Sequence, residues 1–158
     1  MGTPHAQEAA RLLAELDAAY AELKGTVAGL DEAARATVMQ GRWTVKDILA
    51  HIAGWHGEMT PALARLARGE KAIPDGANYH DFDLWNARFV EARRGMTPGQ
   101  VEAELDESFA AFRAALLAVP EARRQPGRTA GKIAAEAGFE HYRHHAAQIR
   151  RWREGTGR

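Results

Sequence analysis

The 158-residue chain contains no cysteine. That absence removes disulfides, thiol nucleophiles and thiolate metal sites together, and leaves histidine, aspartate and glutamate as the strong metal ligands. Net charge is lacking as well: 21 basic residues balance 21 acidic ones, so no overall field draws the chain toward nucleic acid or an anionic membrane face. Neither a nucleic acid nor a membrane is expected as a partner. No run of 18 apolar residues occurs, and the opening MGTPHAQEAARLL has no basic region followed by an apolar run. A transmembrane span and a secretory leader are therefore not expected, and a cytoplasmic protein is. The alternation of apolar and polar residues that marks a half-buried strand is also missing.

What is present is helical periodicity. From about Ala6 to Leu30, the residues Leu13, Leu16, Tyr20, Leu23, Val27 and Leu30 recur in steps of three and four, as a bundle helix requires. DEAARATVMQGRW follows as polar, broken chain with Gly41 as a turn. Thr44 with Asp47 three residues later resembles a capping box. It opens a second helix that runs to about Arg68 with Val45, Ile48, Ile52, Trp55, Met59 and Leu63 on one face, stopped by Gly69. Residues 71–80 hold Pro74, Asp75, Gly76 and Asn78, the composition of a loop. A short helix is predicted from about Asp81 to Arg94, turning Phe82, Trp85 and Phe89 inward. Thr97, Pro98 and Gln100 combine a cap, a first-turn proline and a second capping box. The helix they start carries Val101, Leu105, Phe109, Phe112, Leu116 and Val119, and Pro120 closes it. A polar connector then leads to a last helix from about Thr129 to Glu154. Four long helices and one short one around a single core predict an all-α, four-helix bundle in one domain spanning residues 1–158.

Three of the seven histidines fall within FEHYRHHAAQIRRW near the end of the chain. At roughly 100° per residue, His141 and His145 lie about 40° apart, on a stripe shared with Ala134, Gly138, Ile149 and Trp152 that is predicted to face the core. Arg143, Arg150, Arg151 and Arg153 fall mostly on the other side. Two imidazoles one turn apart can both ligate one ion; they can equally be satisfied by neighbours or water. His51, on an inward shoulder of the second helix, is the candidate third ligand. His5 is terminal, His80 lies in a loop and His56 occupies the other shoulder. His144 points about 100° away from His145, toward solvent or a pocket rim. Tyr142 stands where an H-E-x-x-H motif would place its catalytic glutamate, so a metalloprotease of that type is excluded.

WTVKDILAHIAGWH and EHYRHHAAQIRRW together resemble the DinB-like (YfiT-type) superfamily of helical-bundle metalloenzymes. NARFVEARRGMTPGQVEAEL resembles the ClbS/DfsB-like branch of that superfamily, so the likeness spans nearly the whole chain. It implies a DinB-like four-helix bundle whose metal ligands are His51, His141 and His145. It also implies an activity drawn from two kinds, enzymes that use a low-molecular-weight thiol as cosubstrate and hydrolases that inactivate a reactive metabolite. Three imidazoles with no carboxylate suit Zn²⁺ or Ni²⁺, with Fe and Mn compatible, and leave positions open for water or substrate. A homodimer is expected, because the short helix and the second helix carry more aromatic residues than one small bundle buries, and the resemblance points the same way.

The expected function is thus a divalent-metal-dependent thiol transferase or hydrolase acting on a small electrophile in stress response or detoxification. The alternative is a non-catalytic bundle that sequesters a small molecule or an ion. Glu58, two turns beyond His51, is the candidate general base; its other reading is a solvated surface glutamate. Asp47 is either a cap or an acceptor that orients His51. Gln148 is placed to hydrogen-bond a ligand or the backbone. Trp55 and Tyr142 either pack the core or line the pocket, and Asn86 either reaches a substrate or lies on the helix surface. With imidazoles of ordinary pKa, about 6.5, metal affinity is expected to fall as the pH drops through about 6.

Overall fold

The computed structural model describes residues 2–158. Helix α1 (Pro4–Val27) starts where Thr3 Oγ1 accepts the Ala6 amide and Pro4 fills the first turn. It stops three residues short of Leu30, because Ala28 is extended and Gly29 takes a left-handed φ of 79°. The polar segment that follows is more ordered than its composition suggests. It forms the short helix α2 (Glu32–Arg35), capped by Asp31, and an antiparallel ribbon of β1 (Val38–Gln40) and β2 (Trp43–Thr44). Val38 lies opposite Thr44 and Gln40 opposite Trp43. The expectation of no strand is corrected here: three residues against two leave no room for a period of two to show.

The helix starts follow the capping signals. At α3 (Val45–Ala67), the Asp47 amide donates to Thr44 Oγ1 at 3.0 Å and the Thr44 amide to Asp47 Oδ2 at 3.1 Å. Asp81 caps α4 (Phe82–Ala92). The Thr97 and Gln100 box opens α5 (Pro98–Ala118). A single 3₁₀ turn, Glu121–Arg123, then leads to α6 (Thr129–Ala134).

The last helix, expected to be continuous, is interrupted. Between α6 and α7 (Glu140–Thr156) lies a π turn, Ala135–Phe139, with Gly138 at φ −116° and ψ −112°. The buried residues explain it. Ala130, Ala134, Gly138, Tyr142 and Ala146 are all buried, in four successive steps of four. Each step overshoots one α-helical turn by about 40°, so an unbroken α-helix would swing the last of them about 160° from the first. One wider turn re-phases the row. Gly138 sits against α1, where a Cβ would come within 2.5 Å of Leu16 Cδ1. The core stripe of α7 is consequently Tyr142, Ala146 and Ile149. His141 and His145, expected on that stripe, lie at its edge and are partly exposed.

Helices α1, α3, α5 and α6–α7 make the four-helix bundle, with α4 as the additional short helix. Helix α3 lies closest to α5 and α1 closest to α7, while α4 rests on α3. The seat for α4 is Gly54, where an added Cβ would lie 2.1 Å from Phe89 Cγ. Phe89 is the residue of α4 that is buried. Phe82, expected to point inward, is 62 % exposed although its ring still meets Trp55. Among the described residues no helix is long and apolar enough to cross a membrane.

Replacing Gly54 by alanine should force Phe89 out of its seat. Overpacking of this kind costs about 1–3 kcal/mol, read as a lower urea midpoint. An unchanged midpoint would show that α4 does not pack there.

Candidate metal centre

The capping box fixes where α3 begins, and His51 falls in its second turn, where the ring is 2 % exposed. The π turn sets the phase of α7, so that His141 and His145 face His51 from the edge of the core. The nitrogens of the three rings lie within 4.8 Å of one another. His51 Nε2 is 3.0 Å from His141 Nε2. The rings meet edge to face, with centroids 4.9, 4.7 and 4.8 Å apart. Trp43 of the ribbon packs edge-on against His51 at 5.1 Å and walls the cluster on that side.

The far nitrogens have three different environments. His51 Nδ1 faces the Asp47 carbonyl at 3.4 Å. His145 Nδ1 is 2.7 Å from Gln148 Oε1. His141 Nδ1 is buried and has no hydrogen-bond partner among the described residues. Two neutral imidazole nitrogens 3.0 Å apart cannot both present lone pairs unless a proton or a cation lies between them. The donor set, three neutral nitrogens and no carboxylate, fits a divalent ion of the zinc or nickel type.

Burial dominates the electrostatics. It lowers the His51 pKa to about 3, with His145 adding to the effect. It lowers His145 to about 4, against the opposing hydrogen bond to Gln148 Oε1. His141 is pushed well below 6.5 by burial first and then by His51 and His145. All three rings are therefore neutral at pH 7, the state a ligand needs. Proton competition for these nitrogens is accordingly expected at a lower pH than the range near 6 that ordinary imidazoles imply.

The remaining candidates separate cleanly. The Asp47 side chain caps α3, and it is its main-chain carbonyl that faces His51. Glu58 accepts from the Tyr79 hydroxyl at 2.7 Å. Seven residues of helix carry it about 10 Å along the axis from His51, and it lies outside the cluster. Asn86 Oδ1 accepts from Trp55 Nε1 at 2.7 Å. Trp55 packs against Tyr79, Phe82, Trp85 and Phe89. His144 is exposed, with its ring 4.9 Å from that of His145, at the rim.

One buried group was not expected. His56, placed on a shoulder by the sequence, is fully buried. Ser108 Oγ donates to the Leu105 carbonyl at 3.0 Å, so it accepts from His56 Nδ1 at 2.8 Å. That leaves His56 Nε2 to accept from the Tyr142 hydroxyl at 2.5 Å. Every proton in this chain is accounted for with a neutral ring, and burial accordingly lowers the His56 pKa to about 3. The signal was present in the sequence, since Ile52, His56, Met59 and Leu63 follow one another in steps of four, three and four.

Residues 16–154 match the family model described as the mycothiol maleylpyruvate isomerase N-terminal domain. No curated protein matches the chain. Three solved structures share the fold. An uncharacterised protein from Escherichia coli UTI89 is 16 % identical over 96 % of this chain and 95 % of its own, with a TM-score of 0.79. A protein described as Sibling Lethal Factor Precursor, DfsB, is 15 % identical over 94 % of this chain and 96 % of its own, also at 0.79. A protein from Streptococcus pneumoniae is 14 % identical over 93 % and 91 %, at 0.76.

Because folding lowers the pKa of His51, His56 and His145, the unfolded chain binds protons that the folded one does not. Stability is then complete above about pH 6.5 and is lost as the pH falls toward 4. Urea unfolding of metal-free protein should show a midpoint that is flat above pH 7 and declines steadily below 6.5. Metal affinity measured on folded protein should change little between pH 7 and 6. A tenfold loss of affinity over that unit would mean imidazoles of ordinary pKa.

Proposed function

The chain belongs to the mycothiol maleylpyruvate isomerase N-terminal domain family, of the DinB-like (YfiT-type) superfamily, and on that premise we propose that it is a divalent-metal-dependent enzyme acting on a small electrophilic molecule. The observation that carries the proposal is the convergence of His51, His141 and His145, three neutral rings with their nitrogens within 4.8 Å. These residues would hold one ion per chain, zinc or nickel by the donor set, with iron and manganese compatible. An ion bound there supplies Lewis acidity, which favours the anionic form of a nucleophile near neutral pH. The chain's own residues do the rest: burial keeps the three rings unprotonated, and Trp43 excludes water from one side of His51. One turn beyond His51, Trp55 gathers Tyr79, Phe82 and Trp85 into an aromatic surface suited to an apolar part of the substrate.

The family's description names a thiol, mycothiol. A low-molecular-weight thiol is accordingly the cosubstrate favoured here, in a transfer reaction of stress response or detoxification, with hydrolysis as the competing outcome. A cytoplasmic setting suits such a thiol, which is kept reduced there. Exposed Phe82 and Leu84 on α4 supply apolar surface for a homodimer.

Protein purified without a nickel column should carry one divalent ion per chain, and His141→Ala should lose it. Retention of full stoichiometry by that variant would remove the assignment. Chelated protein should show no turnover of electrophiles with thiol present, and added metal should restore it. Full activity without metal would sink the metalloenzyme proposal. Activity that needs no thiol would identify a hydrolase, and consumption that stops at one equivalent would identify a sequestering protein. Sedimentation at micromolar concentration should show a dimer; a 17.3 kDa species alone would remove that part.

A further inference from the structure

We propose that Gln148 is a positioning residue that presets His145 for metal binding. This rests on the metal-binding proposal above but is decided by the metal-free protein. A neutral imidazole carries its proton on one nitrogen, and only the other can ligate. Which nitrogen is free is set by what the far side of the ring touches. In this cluster that far side is different for each ring. His51 Nδ1 faces a main-chain carbonyl, that of Asp47, at a long 3.4 Å. His141 Nδ1 has no hydrogen-bond partner among the described residues. His145 Nδ1 is the one that meets a side chain, Gln148 Oε1, at 2.7 Å.

With the amide oxygen accepting from Nδ1–H, the His145 proton is held on the side away from the cluster, and Nε2 keeps its lone pair. Three residues apart, the two side chains belong to one helix and face each other across one turn. The hydrogen bond that orients the ring thus lies within α7 and is in place before an ion arrives. The acceptor is an amide and carries no charge, so three neutral ligands face the ion. A carboxylate at the same position would preserve the hydrogen bond and add a negative charge close to the site.

Two variants and one spectroscopic measurement test this. Gln148→Leu removes the acceptor at similar size, and Gln148→Glu keeps it. Zinc affinity, measured by competition with a chromophoric chelator, should fall about 10–100-fold in Gln148→Leu and remain equal to or tighter than wild type in Gln148→Glu. Long-range ¹H–¹⁵N spectra of metal-free wild-type protein should show His145 as the Nδ1–H tautomer, with mixed tautomers in Gln148→Leu. Wild-type affinity in the leucine variant would overturn the proposal. Equal losses in both variants would also overturn it, since that pattern reports packing. A His145 proton on Nε2 in wild-type protein would overturn it with no variant at all, by showing the amide donating to the ring. Should wild-type protein bind no zinc, the metal-binding proposal fails, while the tautomer spectra still decide what Gln148 does.

Discussion

The structure depends on a buried chain of three hydrogen bonds that runs from Tyr142 through His56 and Ser108 to the Leu105 carbonyl. The bundle is otherwise two close helix pairs, α3 with α5 and α1 with α7. This chain crosses from one pair to the other. Each of its polar atoms is satisfied by another member, so breaking one link would leave a buried group unpaired, at about 1–3 kcal/mol. A slip of α7 by one residue relative to α3 is therefore penalised by more than lost apolar contact. Because Tyr142 is the neighbour of His141, the constraint that registers the helix also registers the histidine cluster.

The same burial has two chemical effects at the cluster. It removes solvent from the rings, which lowers their pKa values and keeps their nitrogens available as ligands. It also makes each nitrogen's partner consequential, since a desolvated N–H without an acceptor is costly. The partners are correspondingly varied, a main-chain carbonyl for His51, an amide for His145 and, among the described residues, none for His141.

Much of this was legible in the sequence because it is local. The caps at Thr44 and Thr97, the stop at Gly69 and the one-turn juxtaposition of His141 and His145 all depend on neighbours within one turn and were found as the spacing implied, although the histidine pair stands at the edge of the core stripe and not on it. What was not legible depends on distant partners. Gly138 looks like any helical glycine until Leu16 of α1 is seen against it. The π turn left a faint trace, buried residues in repeated steps of four, which a search for alternating threes and fours passes over. The ribbon before α3 is too short to alternate. Glu58 shares its face of α3 with His51, but the length of the helix between them and the hydroxyl of Tyr79 take it away from the cluster. The convergence of the three imidazoles was foreseeable from helical spacing and family resemblance together. The partner of each far nitrogen was not, since that is decided by side-chain conformation.

His51 and His141 stand 90 residues apart in the chain, yet their nitrogens are 3.0 Å apart. In a protein without cysteine, an ion gripped by both would close a loop of that length, as a disulfide does elsewhere. The loop would span α3, α4, α5 and the connector to the last helix, and it would staple together two helices that lie less closely than either does with its own neighbour. Unlike a disulfide, such a staple answers to the supply of metal and is indifferent to the redox state of its surroundings.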